Sequence, residues 1–181
     1  MDLKRKISTN ISDQDITKYL GTDAREHIIK YSDLANVNDI YELLPKPRCY
    51  KIVLIEDKYN SGHWTCLLRY GDTIEWFDSY GLNPSGELKF IPKIIRQMLG
   101  EDNDYLMKLL KQVKNRKVIW NKKRFQKLEK GISTCGRWCI FRILTCMELF
   151  FTLEDFITFI DKQKREFGMT GDEIVTNWVS G

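Results

Sequence analysis

The residues best suited to chemistry lie in Gly131-Ile132-Ser133-Thr134-Cys135-Gly136-Arg137-Trp138-Cys139. At Cys135-Gly136 small, polar turn-formers give way to a segment that is apolar almost all round and runs on through Cys146 and Met147. Such a segment predicts a helix buried in a core. Ser133 and Thr134 stand where side-chain oxygens cap free backbone amides, which puts Cys135 in or beside the first turn. Unpaired N–H groups and the helix dipole favour an anion there, the setting a thiolate nucleophile requires. Gly136 is expected to keep the wall beside the sulfur low, so that a substrate backbone can approach. The alternative makes Cys135, Cys139 and Cys146 small core residues.

A nucleophilic cysteine needs a base, and the chain has two histidines. His27 sits in a polar stretch and reads as a surface or capping residue. His63, in Gly62-His63-Trp64, enters a strand-like run, where the end of a sheet can present it to a cleft. Tyr70-Gly71-Asp72 is a hairpin signal between runs 63–70 and 73–77. With the turn centred between Tyr70 and Gly71, antiparallel partners sum to 141, and His63 faces Asp78. Opposed residues hold their Cβ atoms ~4.5–5.5 Å apart on one face. Moving the turn centre by one residue makes the two diagonal neighbours, still within reach. A carboxylate so placed fixes the tautomer of His63 and stabilises its imidazolium. The alternative for Asp78 is turn chemistry with Ser79 at the strand end.

Gly62-His63-Trp64, then Trp76-Phe77-Asp78-Ser79, then Thr134-Cys135-Gly136 resemble, in that order, the adenovirus-type and ubiquitin-like-protein-specific (SUMO protease-like) cysteine proteases. The resemblance covers roughly residues 63–147. It implies an α+β, papain-like core with a small antiparallel sheet against a buried helix that carries the nucleophile. It also implies peptide or isopeptide hydrolysis, often after Gly-containing sequences. Cys135 is then nucleophile, His63 base and acid, and Asp78 its orienter. Family members carry a glutamine before the cysteine as oxyanion donor. Here Gln126 takes that place, nine residues ahead, with Asn121 as the fallback. Trp64 is expected to wall the cleft or to be plain core. Two biologies fit: a large-DNA-virus endopeptidase that processes structural precursors, and a deconjugating enzyme acting on ubiquitin or a ubiquitin-like modifier. An inactive binding module of the same fold is the third reading.

These residues need elements to position them. Ser12-x-x-Asp15, Thr152-x-x-Asp155 and Thr170-x-x-Glu173 are capping boxes that predict helices. Further helices are expected over 38–44, 88–99 and 104–113, and strands over 50–55 and 117–120. Antiparallel strands between runs of helices indicate α+β. Residues 1–181 are expected to form one protease domain: a helical segment (1–48), a catalytic core (49–151) and C-terminal helices (152–181).

Of the 181 residues 43% are hydrophobic and 30% charged, as in a soluble globular chain. Charges at Arg137, Arg142 and Glu148 interrupt the longest apolar run, so no membrane span or membrane partner is expected. Five cysteines without regular spacing argue for a reduced, intracellular protein, which the resemblance extends to host cytoplasm and virion. No cofactor is expected, and a Cys/His zinc site is poorly supported. Net charge is +4, with ten Lys or Arg between Lys108 and Lys130 against Glu129 alone. That stretch is a solvated face or a contact for nucleic acid or an acidic partner, beside the protein substrate that hydrolysis requires.

Overall fold

The computed structural model describes residues 2–180. Three strands form the expected meander: β1 (Ile28–Lys30) lies beside it, and β2 (Cys49–Lys58), β3 (Ser61–Tyr70) and β4 (Thr73–Phe77) run antiparallel. With β5 (Lys117–Trp120) the sheet order is β1-β2-β3-β4-β5. Both outer pairings, β1 with β2 and β4 with β5, are parallel, so the sheet is mixed where an antiparallel one was expected. The 28–30 strand is three residues between two 3₁₀ turns, too short to leave a period in the sequence. Strand β5 returns after two helices, a crossover that makes it parallel to β4.

Strand residues alternate between two cores. Ile52, Leu54, Trp64, Cys66, Leu68 and Phe77 face one, and Val53, Ile55, Leu67, Ile74 and Trp76 the other. Cover on both faces explains the nearly unbroken apolar runs of the sequence. On the first face lies the central helix, α6 (Cys135–Leu149), flanked by α2 (Asp13–Leu20), α7 (Leu153–Phe167) and α8 (Gly171–Trp178). All three capping boxes are formed at the starts of α2, α7 and α8. The second face is covered by α3 (Ile40–Leu43) and α5 (Tyr105–Lys111), with α4 (Lys93–Leu99) packed beside β2.

The expected 88–99 helix is instead a 3₁₀ turn, Glu87–Phe90, followed by α4. Pro92 separates them, because proline offers no N–H and disfavours helix at the residue before it. Residues 1–48 are less purely helical than expected. Besides α1 (Leu3–Ile7), α2 and α3 they supply β1 and the core residue Ile11.

Helix α6 is fixed to the sheet by a buried ion pair. The Arg142 guanidinium donates to both Glu75 oxygens, at 2.9 and 2.8 Å, and neither side chain is exposed. Tyr70 Oη donates to the same carboxylate at 2.6 Å. Such bidentate geometry is directional, so it sets the helix against β4 at a defined position.

Candidate active site

The β3–β4 turn is centred on Gly71-Asp72, since Tyr70 pairs with Thr73 and Cys66 with Phe77. Partner numbers therefore sum to 143, one step from the 141 register, and His63 and Asp78 are diagonal rather than directly opposed. Diagonal neighbours on one face remain in reach of long side chains. His63 Nε2 donates to Asp78 Oδ1 at 2.8 Å, with both residues buried. At the entry to β3 a Cβ on Gly62 would stand 2.0 Å from the Ile55 carbonyl oxygen, so only glycine lets the strand pass this close to β2.

Asp78 is held as firmly as it holds the imidazole. Tyr80 N–H donates to its Oδ1 at 2.8 Å. Asn121, one residue past β5, accepts from the Asp78 backbone N–H at 3.1 Å and donates to its carbonyl at 2.6 Å. Both ends of the Asn121 amide are thus spent on Asp78, and the fallback oxyanion role does not fit its position.

Cys135 is the first residue of α6. Its sulfur lies in a cavity of about 190 Å³ with His63, Tyr80, Glu87, Gln126 and Asn10. Burial by itself would push the His63 imidazole down. The Asp78 hydrogen bond and the neighbouring Cys135 sulfur more than offset this and hold it well above its ordinary value. With Nε2 on Asp78, Nδ1 is the nitrogen left to serve the sulfur. Gln126 is fully buried, and its side chain is oriented by Ser79 Oγ, which donates to Oε1 at 2.8 Å. Its Nε2 makes only long bonds, to Tyr80 Oη at 3.3 Å and Ile132 O at 3.4 Å. The structure therefore brings Cys135, His63 and Gln126 to one cavity, with Asp78 behind the histidine.

Two expectations about the surroundings change, and the two alternatives for Trp64 are decided. Thr134 precedes α6 but makes no side-chain cap; its hydroxyl donates to Asp172 Oδ1 at 2.6 Å. Asp172, in α8, also accepts from Lys127 N and Trp138 Nε1, and so latches the loop before Cys135. The space over Gly136 is taken by the chain's own Ile11, 2.3 Å from where a Cβ would stand, rather than left for a substrate. Trp64 packs into the core and borders a neighbouring cavity, about 510 Å³, rather than that of Cys135.

Tyr80, whose ring stacks on His63 at 4.7 Å and 16°, was missed although it follows Asp78 by two residues. Its phenol is pushed up to about 12 by burial and the Cys135 charge. Glu87 was also missed, since nothing in its local sequence ties it to position 63. His27 lies elsewhere, with Nδ1 3.0 Å from the Tyr50 carbonyl oxygen.

This fold is α+β and papain-like. The chain is similar to the crystal structure of ASFV pS273R protease, with a TM-score of 0.50 and 18% identity over 84% of the chain, and it spans 62% of that protease's length. The selenomethionine form of that protease matches at 17% identity and a TM-score of 0.43, over 78% of this chain and 59% of that one. No family model matches the sequence. The chain belongs to the family of uncharacterized protein V9 of Sputnik virophage, to which it is 34% identical over 177 residues, 97% of each chain.

Proposed function

We propose that this protein is a cysteine-type endopeptidase, one catalytic domain over residues 1–181. The observation that carries the reading is the meeting of Cys135, at the start of a buried helix, with the Asp78-bonded His63 in one cavity. The Cys135 thiolate attacks the scissile carbonyl carbon, and the carbonyl electron pair moves onto oxygen. Gln126 Nε2 and the Cys135 N–H, one of the unpaired amides of the first turn, hold that oxyanion. Collapse breaks the C–N bond, and the His63 imidazolium protonates the departing amine. Water activated by the same imidazole then hydrolyses the thioester. Asp78 keeps the ring in position throughout.

The substrate class proposed is a viral structural precursor cleaved after Gly-containing sequence, in an infected cytoplasm or a virion. The virophage relative and the fold shared with a viral protease favour this over modifier deconjugation. No helix among the described residues is long and apolar enough to cross a membrane. The test is a panel of electrophiles: short Gly-containing peptides beside ubiquitin and ubiquitin-like C-terminal probes. Labelling of Cys135 by the peptides, lost in Cys135→Ala and retained in Cys139→Ala, is the expected result. Labelling by modifier probes alone would make the protein a deconjugating enzyme, and labelling by none an inactive relative.

A further inference from the structure

The cavity of Cys135 holds an acid that hydrolysis does not use. Glu87 opens a 3₁₀ turn after a loop anchored by Ser85 Oγ, which donates to the Asp104 carboxylate at 2.8 Å. The Glu87 carboxylate makes no hydrogen bond among the described residues. One donor atom from each of His63, Asp78 and Glu87 lies within 4.8 Å of the others.

A second observation concerns Asp78 alone. Its Oδ1 takes both the His63 ring and the Tyr80 amide, whereas its Oδ2 has no hydrogen-bond partner among the described residues although the residue has no solvent exposure. An unpaired, buried carboxylate oxygen is costly and needs an explanation. Among the described residues no Lys or Arg lines the adjoining cavity, whereas Asp57 and Glu87 bring negative charge to it.

We propose that His63, Asp78 and Glu87 form a binding site for a divalent transition-metal ion, with zinc the best match. One imidazole with two carboxylates, the remaining positions left to water, suits zinc, and the imidazole disfavours magnesium. Asp78 Oδ2 can enter the coordination sphere while Oδ1 stays on the Tyr80 amide. Binding transfers the His63 Nε2 lone pair from a proton to the metal, and that proton leaves to solvent. The neutral metal-bound ring carries its remaining hydrogen on Nδ1, the nitrogen facing Cys135. It can no longer pair with the thiolate as an imidazolium, and it has no free lone pair with which to activate the water that hydrolyses the thioester. The occupied site is a resting form of the enzyme. This consequence rests on the peptidase reading, whereas the binding itself does not.

The test measures zinc binding by competition with a chromophoric chelator, with no substrate present. Wild type should take one ion, magnesium should not compete, and Cys135→Ala should bind as wild type does. Glu87→Gln and Asp78→Asn should each weaken binding at least ~10-fold, since even the loss of outer-shell partners costs 10–100-fold. Cobalt in place of zinc should show no thiolate-to-metal charge-transfer band, which decides the ligand set even if a variant fails to fold. Absence of binding in wild type, an unaffected Glu87→Gln, or a sulfur band would each overturn the proposal. Because probe labelling of Cys135 is read separately, loss of the metal site leaves the peptidase reading standing, and the converse.

Discussion

Asp78 is the residue on which the others depend, and it is fixed chiefly through its backbone. Asn121→Ala removes two hydrogen bonds from the buried Asp78 backbone. It orphans the N–H, at ~1–3 kcal/mol, whereas the carbonyl keeps the Gly81 N–H at 2.8 Å. This variant is expected to lose stability in urea and to lose hydrolysis as Asp78 shifts. Gln126→Ala should show a different signature, with turnover down ~10²–10³-fold as for removal of a single oxyanion donor. Equal turnover loss without a change in urea midpoint for Asn121→Ala would return that residue to the oxyanion role. The cysteines provide a separate check. Burial and Cys66 hold the Cys139 thiol well above its ordinary value, and burial raises Cys146 to about 11 and raises Cys49. Cys135, with an imidazole beside it, should be alkylated first by iodoacetamide at neutral pH, as read by peptide mass spectrometry. Uniform labelling would count against the thiolate–imidazolium pair.

At the scale of elements, the Glu75–Arg142 pair decides where α6 stands on the sheet. Glu75→Ala leaves a buried guanidinium without its partner and should cost ~3–5 kcal/mol in chemical denaturation. Replacing both residues with apolar ones of similar volume should cost much less. If the double variant were as unstable as the single, packing rather than uncompensated charge would be the cause. How the sequence disclosed these elements follows from how local their causes are. Ser12, Thr152 and Thr170 find their partners three residues on, so those helix starts were readable. The His63–Asp78 meeting was legible because one tight turn relates the two, even though its centre lies a residue beyond the 141 register. The parallel β1 and β5 pairings depend on segments far apart in the chain and left no periodic mark. Glu87 enters the cavity from the start of a 3₁₀ turn, and Ile11 covers Gly136 from the N-terminal segment. Pattern has no means of announcing either contact. The Thr134 hydroxyl is diverted from capping by Asp172, 38 residues away, and no local rule foresees that.

At the scale of the whole molecule, charge placement sets the response to pH and partners. Glu101 is fully buried, donates nothing, and accepts the Glu56 N–H at 2.7 Å. Burial, with the Glu56 and Asp57 charges nearby, raises its carboxyl from the usual 4.5 to about 7. Between those values the folded chain binds more protons than the unfolded one, so this group's contribution to stability falls as pH rises from 4.5 to 7. Glu101→Gln should therefore gain in urea midpoint relative to wild type at pH 8 more than at pH 5, and an equal difference at both would discount Glu101. The basic stretch is less uniform than its sequence suggests. Lys123 is paired with Asp161 at 2.7 Å and Lys127 with Glu129. Arg124 and Lys130, however, join Lys4, Arg5 and Lys164 around a cavity of about 770 Å³ that also reaches Gln126 and Ile132. Among the described residues none of these five cations forms an ion pair. An acidic substrate surface or a nucleic acid bound there would act next to the proposed oxyanion donor. Changing Arg124, Lys130 and Lys164 together to Glu should raise the KM for an acidic protein substrate severalfold at low salt. Hydrolysis of a short neutral peptide should stay nearly unaltered. The difference should fade at high salt, because the Debye length shrinks from ~10 Å at 0.1 M to ~3 Å at 1 M. Added DNA should compete with the acidic substrate on wild type but not on the variant. Equal loss on both substrates would mean the loop supports the catalytic centre itself, and no loss on either would leave these cations to solvent.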